Sequence, residues 1–171
     1  IPLAALGPEV AARTITLLAP SKAFNVAGLG CSLAIIPDEG FRRRFKRAKA
    51  GIVPQVNVMG LVAAEAAWRD GAAWLAAQSD YLRGNRDLLA SRVAGMPGVT
   101  MAPVEATYLA WIDVRDLGLD DPMKHFEAHG LGFSDGKDFA GFGYVRFNFG
   151  CPRSVVEEAC DRLARAVAAA S

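Results

Sequence analysis

Two histidines and three cysteines leave this 171-residue chain little material for a metal cage or a disulfide framework. The cysteines, Cys31, Cys151 and Cys160, are odd in number in a chain large enough to fold without staples, which points to reduced thiols and a cytoplasmic setting. An excess of one charge is also missing: 19 basic side chains face 18 acidic ones, so the totals advertise no nucleic-acid surface. No apolar run approaches the ~20 residues that span a bilayer. The opening Ile1-Pro2-Leu3-Ala4-Ala5-Leu6 lacks the basic flank of a signal peptide, and the missing initiator Met suggests a chain cut from something longer. A G-x-S-x-G elbow, a P-loop and a complete G-x-G-x-x-G are all absent, and Gly28-Leu29-Gly30 alone carries no dinucleotide fingerprint. What is abundant is apolar material, 52% hydrophobic against 22% charged, enough for a globular core.

The order of elements mixes strands and helices. Residues 14–19 read as a strand closed by Pro20, and residues 31–36 as a second, with an irregular loop between them. Pro37-Asp38 opens a helix carrying Arg42, Arg43, Arg44, Lys46, Arg47 and Lys49, expected to be a solvated face. From Asn57 to Val93 the pattern is helical, interrupted at Asp70-Gly71. In its second half Trp74, Leu75, Gln78, Tyr81, Leu82, Asn85, Leu88, Leu89 and Arg92 form one mostly apolar stripe. Gly95-Met96-Pro97-Gly98 stops it, and residues 107–113 read as a strand. Asp121 is an N-cap before Pro122, opening a helix to about Gly130. The strand 144–149 places Tyr144, Arg146 and Asn148 on one face and Val145, Phe147 and Phe149 on the other. A final helix is expected to begin with a Ser154/Glu157 capping box and to bury Val155, Val156, Ala159, Cys160, Leu163 and Val167. The class is α/β or α+β.

Few residues are placed for chemistry. His125 and His129 have a metal-holding spacing, but no third ligand shares their face, and a surface role is expected. Lys22 follows a proline-closed strand in a glycine-containing loop, a position where a rigid scaffold can hold a reactive group, although by position alone a solvated surface lysine is the expected reading. Its amine attacks an aldehyde only when deprotonated. Arg146, in the middle of an aromatic strand, needs an anionic partner because its charge cannot be shed. An internal Asp or Glu comes first, and a bidentate substrate carboxylate is the alternative.

The run Ala19-Pro20-Ser21-Lys22-Ala23-Phe24-Asn25-Val26-Ala27-Gly28-Leu29 resembles the lysine segment of fold-type I pyridoxal 5'-phosphate enzymes, in the variant of the MalY/PatB-like cystathionine β-lyases. Residues 81–86, 106–113 and 145–153 resemble the same family in order and spacing, so the similarity spans nearly the whole chain. It implies the carboxy-terminal portion of an aspartate aminotransferase-like α/β fold. Residues 1–50 would end the large cofactor-binding domain, 51–95 would be connecting helices, and 96–171 would form the small α+β domain. It further implies that Lys22 carries the cofactor covalently and removes the substrate α-proton, that Ser21 lies near the cofactor phosphate, and that Arg146 holds the substrate α-carboxylate.

The implied activity is β-elimination from L-cysteine thioethers by a cytoplasmic homodimer that needs neither nucleic acid nor membrane. A class I/II aminotransferase is the alternative within the family, and a noncatalytic dimerising domain is the alternative outside it. Many superfamily members place a phosphate-binding arginine eight residues after the lysine, where this chain has Gly30, a gap the MalY/PatB-like group often shares. The phosphate loop, the ring-stacking aromatic and the aspartate under the pyridine nitrogen would lie in a first half not contained in this sequence.

Overall fold

The computed structural model describes residues 1–170, which divide into two compact units, Ile1–Ala77 and the described residues from Gln78 onward. The first holds α1 (Pro8–Ala12), β1 (Thr16–Leu18), β2 (Leu33–Ile35), α2 (Glu39–Lys49) and α3 (Val58–Asp70). Strands β1 and β2 pair antiparallel, with Thr16 opposite Ile35 and Leu18 opposite Leu33. Both are shorter than the sequence pattern suggests, because Pro20 and Gly30, the latter in a left-handed turn, end regular pairing on the loop side. Helix α2 is capped by Asp38, whose carboxylate accepts from the Phe41 amide at 2.6 Å, and it buries no residue, as its charge run predicts. Helix α3 starts at the Asn57 cap and ends at Gly71. Helix α4 (Ala72–Ala94) begins in the first unit and ends in the second.

The second unit is a two-layer α+β structure. Its antiparallel sheet has the order β3-β4-β6-β5, formed by Thr100–Met101, Leu109–Asp113, Tyr144–Asn148 and Ser134–Asp135. Alternation along β4 and β6 sends Ala110, Ile112, Val145 and Phe147 into the core. There they meet Leu89 and Val93 of α4, Phe126 of α5 (Pro122–Ala128), and Val156, Cys160, Leu163, Ala166 and Val167 of α6 (Arg153–Ala168). Helix α5 opens on the predicted Asp121 cap, which accepts from the Lys124 amide at 3.0 Å.

Helix α6 departs from expectation. Pro152 is its N-cap, no side chain caps it, and Ser154 is already inside the first turn, so the capping box does not form. Pro152, in extended conformation, sets the entry geometry two residues earlier than a Ser154 cap would. Val155, expected in the buried stripe, lies on its flank at 48% exposure, because Val156, Cys160, Leu163 and Val167 set the centre of the buried face.

Candidate active site

The loop between β1 and β2 is braced at both ends, by α3 and by the first turn of α4. Pro20 is buried, its carbonyl accepts from the Phe24 amide at 2.9 Å, and the Ser21 carbonyl accepts from the Val26 amide at 3.0 Å. Phe24 stacks on Trp74 with ring centroids 6.0 Å apart, and Gly71 passes so near the Phe24 ring that a Cβ there would collide with it. At the other end Asn57 donates to the Leu29 carbonyl at 2.9 Å while capping α3. Gly60 is buried against the same carbonyl with no room for a side chain. Lys22 is exposed on this braced turn, next to a half-buried Ser21, and no carboxylate or hydrogen-bond acceptor engages its amine among the described residues. A free primary amine held on a fixed turn can condense with an aldehyde.

Arg146 stands in the second unit, half-buried in the middle of β6, opposite Trp111 of β4 and Ser134 of β5. Reading the residues alone favours an internal ion pair, yet among the described residues no carboxylate reaches Arg146. Its cross-strand neighbours are an indole and a hydroxyl, so the sheet register supplies no acid. Instead Nη2 donates to Ser134 Oγ at 3.0 Å, and the guanidinium carbon lies 4.3 Å from the centre of the Phe139 ring. Trp111 meets Phe139 edge-on at 6.2 Å and stacks on Tyr144 at 5.5 Å, completing an aromatic face around the cation. Farther along the same face, Asp113 grips Arg115 through contacts of 2.6 to 3.1 Å, and Tyr144 Oη accepts from Arg115 at 3.1 Å. The Arg115 hydrogen bonds hold the Asp113 carboxyl down at about 2, and in turn raise the Arg115 guanidinium. That cation is therefore already spent on its neighbour, whereas Arg146 is not.

The remaining motif residues are structural. Asn85 is fully buried within the apolar stripe of α4. Its amide donates to the carbonyls of Phe149 and Cys151 at 3.0 and 2.8 Å, and its oxygen accepts from Arg153 Nε at 3.1 Å. Tyr81 accepts the Arg153 backbone amide at 2.7 Å and stacks under its guanidinium, and Gly84 leaves the room that guanidinium occupies. Residues 81–85 and 149–153 thus form one knot joining α4 to the corner after β6.

The histidine pair is half-buried rather than on the surface. His125 Nε2 is 2.8 Å from the Ala166 carbonyl and His129 Nδ1 is 2.8 Å from the His125 carbonyl, so both rings are committed to backbone. No group of three metal-binding side chains occurs among the described residues. All three cysteines are free, and burial pushes the Cys151 and Cys160 thiols up, away from reactivity.

Sequence reasoning missed the braces of the lysine loop, Phe24, Asn57, Gly60 and Gly71. It also missed the neighbours of Arg146, Ser134 and Phe139. The only available signal for Ser134 was its place on a short strand next to β6.

The fold of the chain is shared with the aspartate aminotransferase of Rhizobium meliloti. That solved structure matches with a TM-score of 0.86 at 17% identity, over 96% of this chain and 44% of that one, so the likeness shows the fold. The model of the family described as aminotransferase class I and II matches residues 3–163, and the chain belongs to that family. Within it the chain is 34% identical to a cystathionine β-lyase of Corynebacterium glutamicum, over 91% of this chain and 43% of the relative. It is 32% identical to the cystathionine β-lyase PatB of Bacillus subtilis, over 97% and 45%. The crystal structure of OvoB matches with a TM-score of 0.95 at 56% identity, over 98% and 44%. A structure from Corynebacterium diphtheriae, described as a putative PLP-dependent β-cystathionase, matches with a TM-score of 0.87 at 38% identity, over 96% and 45%. The chain spans less than half the length of the curated relatives it matches.

Proposed function

We propose that the protein carrying this chain is a pyridoxal 5'-phosphate-dependent carbon–sulfur β-lyase, cleaving L-cysteine thioethers such as cystathionine into thiol, pyruvate and ammonia. The observation that carries the reading is the unspent charge of Arg146, a half-buried guanidinium with a neutral hydroxyl and an aromatic ring beside it and no acid. A substrate α-carboxylate completes it. The names of the relatives supply the reaction class.

The donor set fits the aldehyde end of the cofactor: Lys22 offers an unengaged amine on a rigid turn, and Ser21 offers a hydroxyl beside it. The loop itself brings no cation for the phosphate, since Gly30 stands where an arginine would serve. When bound, the cofactor supplies an electron sink that makes the proton on the substrate Cα removable. Arg146 fixes the substrate by its carboxylate, and Lys22 Nζ takes the Cα proton. The Cβ–S bond then breaks with its electron pair going to sulfur, which leaves as the thiol. Water completes the release of pyruvate and ammonia. We read the working protein as a cytoplasmic homodimer with no nucleic-acid or membrane partner. The three free thiols support a reducing compartment, and the exposed Leu17, Leu33, Met59 and Leu61 support further protein contact.

Kinetics of the full-length protein test the reading. Lys22→Ala is expected to lower thiol and pyruvate release by on the order of 10³-fold. Arg146→Ala is expected to raise KM for the thioether about 10- to 100-fold while cofactor content stays unchanged. Turnover retained in Lys22→Ala would overturn the assignment. A sulfur-retaining keto acid as the main product would make the protein an aminotransferase.

A further inference from the structure

Resting on the reading of Arg146 as the carboxylate grip, we propose that Ser134 and Phe139 are positioning residues. They set the Arg146 guanidinium in one orientation before substrate arrives. An arginine side chain has several rotatable bonds, and ordering it on binding costs affinity. Here the ordering is built in. Ser134, opposite Arg146 in the strand register, takes one N–H of Nη2 at 3.0 Å and so fixes the in-plane rotation. Phe139 covers one face of the guanidinium with its ring centre 4.3 Å away and so fixes the tilt. Neither partner is charged, so both orient the cation without neutralising it, and its other N–H donors remain free for a carboxylate.

The turn bearing Phe139 is itself fixed. Asp135 accepts from the Lys137 amide at 3.0 Å and pairs with the Lys137 ammonium at 2.8 Å, and the Gly141 amide donates to the Gly136 carbonyl at 2.9 Å. Gly136 is buried where a Cβ would collide with the backbone of Gly141 and Tyr144, and Gly141 lies where a Cβ would collide with the Trp111 ring. Ala140 ends the turn with a φ of 59°, a left-handed conformation uncommon for a residue with a side chain. All this holds a phenylalanine that stays 50% exposed, so core burial does not account for its place. Its ring packs on the cation and, near perpendicular, on Trp111.

The test is run in the full-length, cofactor-loaded enzyme with Ser134→Ala, Phe139→Leu and Phe139→Tyr. Equilibrium binding of glycine, an amino acid with no β-leaving group, is measured alongside thioether kinetics. Ser134→Ala and Phe139→Leu are each expected to raise KM for the thioether and Kd for glycine about three- to tenfold, with a smaller change in kcat. Phe139→Tyr is expected to restore both values, because it returns the ring face. The carboxamide of the same thioether, which has no anion for Arg146, is expected to show no difference between wild type and variants.

Unchanged KM and Kd in Ser134→Ala and Phe139→Leu, with Arg146→Ala still impaired, would overturn the positioning role. Equal losses for thioether and carboxamide would also overturn it, since they mark a merely structural role. An Arg146→Ala enzyme with unaltered glycine binding would instead sink the grip itself. Should Phe139→Leu fail to fold, Ser134→Ala decides alone, with Ser134→Thr expected to restore binding.

Discussion

The two units of the chain draw on similar amounts of aliphatic and aromatic residue and dispose of it in opposite ways. In the second, Leu89, Val93, Ile112, Phe126, Val145, Phe149 and Leu163 are essentially inaccessible and form one continuous core. In the first, Leu17, Leu18, Leu33 and Ile35 of the paired strands and Val58, Met59, Leu61, Val62 and Trp68 of α3 face water. Among the described residues, the only apolar side chains buried there, apart from Pro20, are Cys31, Ile36 and Ala64. A two-stranded sheet is marginal on its own, and strands that read as unbroken apolar runs are those covered on both faces in larger sheets. The second unit therefore encloses a continuous core of its own, whereas the first leaves most of its large apolar side chains exposed. The lysine loop sits in the unit that lacks a core, and the arginine sheet in the unit that has one.

Four substitutions sharpen that contrast. Phe126→Ala, in the fully buried centre of the second unit, is expected to cost about 3–5 kcal/mol in chemical denaturation. Leu17→Ala, 69% exposed, is expected to cost less than about 0.5 kcal/mol in the same 171-residue chain. Equal losses would break the comparison.

Asn85→Ala is expected to cost about 2–4 kcal/mol, because it strands two carbonyls and one guanidinium N–H at a buried corner. A loss below about 1 kcal/mol would show that water replaces the amide there.

The smallest effect is electrostatic. Asp113 titrates at about 2 when folded against an ordinary value of 3.8, so between these values the unfolded chain binds more protons and stability rises with pH. The contribution is complete above about pH 5 and disappears as pH falls through 2, and it amounts to about 1 kcal/mol once screening by solvent at the exposed Arg115 is allowed for. Asp113→Asn should flatten that part of the pH profile, and an unchanged acid slope would contradict the pairing.

Much of the fold was legible because local rules and tertiary structure agree. The Asp121 cap, the helix start beside Asp38, the break at Gly71 and the alternation along β6 all stand where the sequence places them. The α6 start was misread because a serine–glutamate spacing looks the same whether or not a preceding proline has already begun the helix. Asn85 hid in an apolar stripe, since periodicity counts a polar residue as an exception and cannot see carbonyls sixty residues away turning towards it. The site is the harder case. Lys22 and Arg146 drew notice as a loop lysine and a strand arginine, but the residues that orient them, Asn57, Phe24, Ser134 and Phe139, act through tertiary contacts that no short motif records.

Reduction by borohydride after loading with pyridoxal 5'-phosphate, followed by tryptic mapping of the full-length protein, tests the central claim most directly. Modification of Lys22 blocks cleavage there and yields a peptide running from Thr14 to Arg42 that carries the pyridoxyl mass. The account predicts that peptide as the dominant labelled species. Label confined to Lys46, Lys49, Lys124 or Lys137, or no label within this chain, would contradict it.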